Sequence, residues 1–228
     1  MATLIHNTLE KEQETLFEKI KEKALKINPN VGAIWDGVAD LKAYCNSSPR
    51  VAWILKEPYD KDNNGEVGGG HWSHPDLLAN SSLEEIESKP TWRRVNRTMC
   101  AIRQNASTND SIIVNDNYLK DIAWLNLSKT PGASTSGTSF KRKFIKHWSE
   151  LLKKQIEVYA PEVIIFGSTF DICKSALFPD CVPIDKGKYL HVYTLGDKLL
   201  LYAYHPGWWG ITDDNYINSI LNAIKTYR

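Results

Sequence analysis

A carboxylate, an amide and an imidazole stand where apolar runs of the chain end. Glu57 follows Val51-Ala52-Trp53-Ile54-Leu55-Lys56, Asn126 closes the run at 121–127, and His205 follows the run at 198–204. Each is succeeded by a breaker: Pro58, the stretch Ser128-Lys129-Thr130-Pro131-Gly132, and Pro206-Gly207. Proline has no amide hydrogen and pushes the residue before it out of helical geometry, so Glu57 sits in an extended, irregular bend. A structural protein has little reason to end a core strand on a carboxylate, so the bend at Glu57 reads as the floor of a site. Taken singly, Glu57 reads equally as an ion-pair member and His205 equally as a capped turn, while Asn126 is more often a strand-end residue bonding its own backbone. Three such groups at ends of core strands favour a site, because ligands of open α/β sheets bind along that edge.

The elements that must position them alternate. Short runs rich in β-branched and aromatic residues predict buried strands at 51–55, 121–127, 161–167, 190–195 and 198–204, the last two joined as a hairpin through Gly196-Asp197. Helices are expected at 9–27, 36–44, 91–103, 140–159, 169–177 and 213–227. Apolar stripes mark three of them: Leu16/Phe17/Ile20/Leu25, Val95/Met99/Ile102, and Phe144/Trp148/Leu151/Leu152/Ile156. This order predicts an α/β domain with a mostly parallel sheet. One domain over 1–228 is expected, with 1–48 as a helical region packed on it. Residues 59–83 read as a long loop, broken by Asn63-Asn64-Gly65 and Gly68-Gly69-Gly70, and 132–139 as a flexible connection. The long loop carries His71, Trp72 and His74, which favours a functional loop over a disordered one.

Bulk properties narrow the classes. The net charge is +1, so attraction to nucleic acid must come from a local patch. Arg93, Arg94 and Arg97 form one basic cluster and Lys141, Arg142, Lys143 and Lys146 another; each reads equally as a phosphate contact or a solvated helix face. Eight Trp and ten Tyr supply rings of the kind that stack on bases or sugars. The four cysteines form no C-x-x-C pair, which argues against a zinc or iron–sulfur site and against a disulfide scaffold. No apolar run reaches membrane-spanning length and the N-terminus reads as a charged helix, so a cytoplasmic protein is expected.

These residues together resemble the uracil-DNA glycosylase superfamily. Its first signature, Gly-Gln-Asp-Pro-Tyr-His in the best-known branch, is similar to Leu55-Lys56-Glu57-Pro58-Tyr59-Asp60. Its second, His-Pro-Ser-Pro-Leu-Ser, is similar to His205-Pro206-Gly207-Trp208-Trp209-Gly210. Between them the family has an apolar strand ending in a base-reading Asn, matched by Leu125-Asn126-Leu127. The resemblance covers residues 51–228, roughly three quarters of the chain.

The resemblance implies a three-layer α/β/α sandwich around a mostly parallel sheet of four to five strands. It implies a monofunctional DNA glycosylase, a monomer that needs no metal or cofactor, has no membrane partner and flips a pyrimidine out of DNA. Glu57 and His205 would be catalytic: Glu57 stabilises the oxocarbenium-like sugar and orients water, and His205 donates to the oxyanion of the departing base. Lys56, Pro58, Tyr59, Trp72 and Asn126 would form the base pocket, with Trp72 stacking and Asn126 reading the flipped base. Thr91, Arg93, Arg94, Lys129, Gly207, Trp208 and Trp209 would contact DNA, Trp209 as the wedge that fills the vacated stack. Glu57 for Asp, Asp60 for His, Leu55-Lys56 for Gly-Gln and Gly207-Trp208 for Ser-Pro are departures. They imply a remodelled pocket, for uracil or a modified pyrimidine, in repair or in defence against phage with modified DNA. A binding module on the same fold is the alternative. An unrelated α/β hydrolase is weaker, since G-x-S-x-G, phosphate-loop and G-x-G-x-x-G motifs are absent.

Overall fold

The computed structural model describes residues 2–60, 68–108, 110–132 and 139–228. In chain order the elements are α1 (Ala2–Ile27), β1 (Ile34–Trp35), β2 (Gly37–Val38), α2 (Leu41–Asn46), β3 (Val51–Leu55), β4 (Trp72–Ser73), α3 (His74–Asn80), α4 (Leu83–Ser88) and α5 (Pro90–Arg103). A 3₁₀ turn at Tyr118–Asp121 leads into β5 (Ala123–Asn126), α6 (Phe140–His147), α7 (Ser149–Tyr159), β6 (Val163–Gly167) and α8 (Phe170–Leu177). The chain ends with β7 (Val182–Lys186), β8 (Leu190–Leu195), β9 (Lys198–Ala203) and α9 (Asp213–Tyr227).

Every residue of β3, β5 and β6 is buried, so these strands need cover on both faces, as parallel strands do. Alternation along β3 sends Val51, Trp53 and Leu55 into one apolar cluster with residues of α5 and α9. Ala52 and Ile54 enter a second cluster with residues of α1, α7 and α8. The sheet runs β2-β5-β3-β6-β9-β8-β7, parallel from β5 through β9 and antiparallel at both edges. Among the described residues it is therefore a mixed seven-stranded sheet, larger than the expected four or five strands. The additions leave little trace in sequence: β2 has two residues, and β7 is exposed throughout and carries Pro183, which an edge strand tolerates.

From β3 the chain reaches β5 on one side, then crosses to β6 on the other. The connections leaving β3 and β6 thus part at their carboxyl ends, which opens a crevice at the topological switch point.

Three expectations are corrected. The helix at 36–44 is instead strand β2 followed by α2, because Asp36 is buried and Asp40 caps α2 by accepting from Ala43 N at 2.8 Å. The helix at 140–159 breaks at Trp148 (φ −120°, ψ −16°), although the ring stays buried in the predicted stripe. The expected loop at 59–83 contains β4 and α3, with Ser73 capping α3 through Asp76 N. Asn63-Asn64-Gly65 and residues 133–138 of the expected connection lie outside the described residues.

Candidate functional site

The carboxyl ends of the parallel strands border a cleft of about 1040 Å³. Its lining brings together Lys56, Glu57, Pro58, Tyr59, Trp72, Thr91, Asn126, His205, Gly207 and Trp208, drawn from segments far apart in sequence. Arg93, Arg94, Lys129 and Trp209, also expected at the site, are not in that lining.

The first wall is the bend after β3. The segment after β5 runs beside it: Leu127 N donates to Leu55 O, Ser128 N to Lys56 O, and Gly132 N to Pro58 O, at 2.8–2.9 Å. A Cβ on Gly132 would collide with Glu57 Cγ, so only glycine permits this approach to the carboxylate. Asp60 anchors the next turn, its Oδ2 accepting from Gly70 N and from Trp72 Nε1, both at 3.0 Å. The residue that departs from the family's signature histidine thus fixes the ring expected to stack on the base.

Asn126 reaches the cleft from the end of β5. Its amide N–H donates to Asp36 Oδ2 at 2.6 Å and its carbonyl accepts from Lys129 Nζ at 2.6 Å. Lys129 Nζ also pairs with Asp36 Oδ2 at 2.5 Å, and both side chains are wholly buried. Lys129 is therefore no phosphate contact: it neutralises Asp36 and braces the turn after β5. With its main chain held in this way, Asn126 keeps its buried Nδ2 without a partner among the described residues. An amide with an unused donor is suited to reading a ligand.

His205 forms the opposite wall. Gly207 N donates to His205 Nδ1 at 3.0 Å, and an accepting Nδ1 puts the proton of a neutral ring on Nε2. Burial and the charges of Lys56 and Arg94 hold its pKa below the usual imidazole value, so the neutral form persists at physiological pH. Its backbone N–H donates to Ser168 Oγ at 2.9 Å; Ser168, directly after β6, has a left-handed φ of 59°. Sequence reasoning missed Ser168, and the only signal was the Gly167-Ser168-Thr169 strand end. It also missed the part played by Asp60.

Arg94 requires a further correction. Buried on α5, it donates to Trp208 O (2.7 Å), Ile211 O (2.9 Å) and Asp213 Oδ1 (2.7 Å). It staples the loop that carries His205 and is closed off from phosphates. Arg93 and Arg97 also face Asp213 at 3.7 Å, and Arg97 pairs with Glu87, so the charge of this cluster is largely committed within the fold. Beyond the staple, Trp208 stacks on Tyr204 at 4.4 Å, and Trp209 is 90% exposed.

Among the described residues no cluster of three or more His, Cys, Asp or Glu is arranged to hold a metal ion. No described helix is long and apolar enough to cross a membrane. No protein-family model matches the chain, and no curated protein matches it significantly.

Proposed function

We propose that the chain is a monofunctional DNA glycosylase built on a three-layer α/β/α sandwich, acting as a cytoplasmic monomer on a flipped pyrimidine. The observation that carries this reading is the meeting of Glu57, Asn126 and His205 on one cleft, with His205 in the tautomer that offers Nε2–H. As the bond from C1′ to the base nitrogen breaks, the sugar gains oxocarbenium character and the bonding electrons leave with the base. Glu57 stabilises that cation and accepts a proton from the attacking water, whose oxygen bonds to C1′. His205 Nε2–H hydrogen-bonds the oxyanion developing on the base. A neutral imidazole is the better fit, since it donates without first having to hold a net charge in a half-buried site. Asn126 reads the base edge, Trp72 stacks on it and Tyr59 walls the pocket, while exposed Trp209 enters the duplex and offsets part of the unstacking cost.

The test uses oligonucleotides bearing uracil or a modified pyrimidine, with alkali-labile abasic sites scored. Wild-type protein is expected to generate them, and Glu57→Gln and His205→Ala to lose cleavage strongly while retaining duplex binding. Cleavage undiminished in both variants would remove the assignment. Binding by the wild type without cleavage of any base would identify a binding module instead.

A further inference from the structure

Past Trp72 the cleft is lined by a histidine that the proposed chemistry does not use. His74, in the first turn of α3, is only 6% exposed, yet it borders the cleft. Trp72 meets its ring edge-on at 4.7 Å and Trp124 lies tilted at 5.6 Å on β5, two residues before Asn126. Neither ring nitrogen has a hydrogen-bond partner among the described residues, and the same holds for Trp124 Nε1 and Asn126 Nδ2. Three side chains that border one cleft thus hold four enclosed polar atoms without a partner among the described residues, where isolated cases are the rule elsewhere in folded proteins. Burial pushes the His74 pKa down to about 3, helped by the charge of Lys129, so the ring is neutral and carries one donor and one acceptor. The cleft volume matches the largest drug-sized sites and exceeds what a single pyrimidine ring fills.

We infer that His74 is a specificity-determining residue, pairing with a polar substituent that projects from the flipped base and that both donates and accepts a hydrogen bond, as a hydroxyl does. This rests on the proposed glycosylase reading and adds to it the kind of base preferred. The selectivity follows from cost: an unsubstituted base leaves the buried imidazole unpaired, whereas a hydroxylated one pairs with one ring nitrogen and with a neighbouring donor. Sites built to pair a substrate hydroxyl reject the analogue lacking it far more strongly than apolar pockets reject a missing methylene.

Two measurements test it. In the first, uracil and 5-hydroxymethyluracil are titrated as free bases into protein labelled with ¹⁵N on histidine. The ring resonances of His74, assigned by their loss in His74→Phe, should move with 5-hydroxymethyluracil and stay in place with uracil. No movement with either base, or equal movement with both, overturns the inference. In the second, kcat/KM is compared on oligonucleotides carrying each base. Wild type should favour the hydroxylated base by at least about 100-fold, His74→Phe should lose that preference, and His74→Gln, which keeps a donor and an acceptor, should restore part of it. A ratio unchanged in His74→Phe overturns the inference. Absence of cleavage of any base would sink the glycosylase reading, while the base titration would still decide the role of His74.

Discussion

Lys56 and His205 are electrostatically coupled across the cleft, and the sign of that coupling makes a residue-scale prediction. The ammonium of Lys56 disfavours a second positive charge and so helps to lower the His205 pKa, after burial and ahead of Arg94. Neutral His205 is the form that presents Nε2–H with Nδ1 accepting, so cleavage should be full at neutral pH and fall as acid protonates the ring. Lys56→Gln removes one lowering influence; the pKa rises and the acid loss should begin at higher pH. Single-turnover rates against pH, read with the ring titration of His205, check this, and a shift toward lower pH would contradict it. Gly132 makes a second prediction. Alanine there collides with Glu57 Cγ, and Gly132 has no left-handed φ to strain the new residue. Gly132→Ala should therefore displace the carboxylate and cut cleavage by at least tenfold, which corresponds to ~1.4 kcal/mol of lost transition-state stabilisation. Its thermal unfolding should stay close to wild type.

At the scale of elements, the buried pair Asp36–Lys129 joins the segment before β2 to the turn after β5. Asp36 Oδ1 extends this link to α7 by accepting from Gln155 Nε2 at 2.7 Å. Removing one partner of a buried pair strands the other charge, so Lys129→Met should cost about 3–5 kcal/mol in denaturant unfolding. Asp36→Asn combined with Lys129→Met should cost less than Lys129→Met alone, because no charge is then left unpaired. A phosphate-binding lysine would behave otherwise, with little loss of stability and weaker DNA binding. Arg94 follows the same logic on the other side of the cleft, where it ties α5 to the loop before α9.

Over the whole molecule, two imidazoles held neutral in the fold, His74 buried and His205 half-buried, couple stability to pH. His74, pushed down to about 3, and His205, also lowered, both return to the ordinary value near 6.5 on unfolding. Between the folded and unfolded values the unfolded chain binds more protons, so stability is fully present above about pH 6.5 and falls as the pH drops below it. For His74 the slope approaches about 1.4 kcal/mol per pH unit. Calorimetry at pH 7 and pH 5 should show a marked loss of Tm in wild type and a smaller loss in His74→Phe. Equal losses would contradict the neutral burial of His74.

How much of this was legible beforehand follows from range of interaction. Continuous apolar runs announced β3, β5, β6 and β9, since burial on both faces leaves no polar alternation to obscure them. The breakers after Glu57, Asn126 and His205 announced strand ends, and parallel pairing then carried all three to one edge. Local chemistry likewise foretold α9 and the hairpin at Gly196. Contacts between distant segments had no such signal. An exposed-looking basic triplet on α5 and a lysine in a turn were indistinguishable, by type alone, from phosphate contacts. Folding placed Asp213 beside Arg94 and Asp36 beside Lys129, and the cost of burying an unpaired charge converted both cations into braces. The short edge strands and His74 belong to the same group, because pairing by two residues, or a ring held between two tryptophans, exists only once the chain has closed around them.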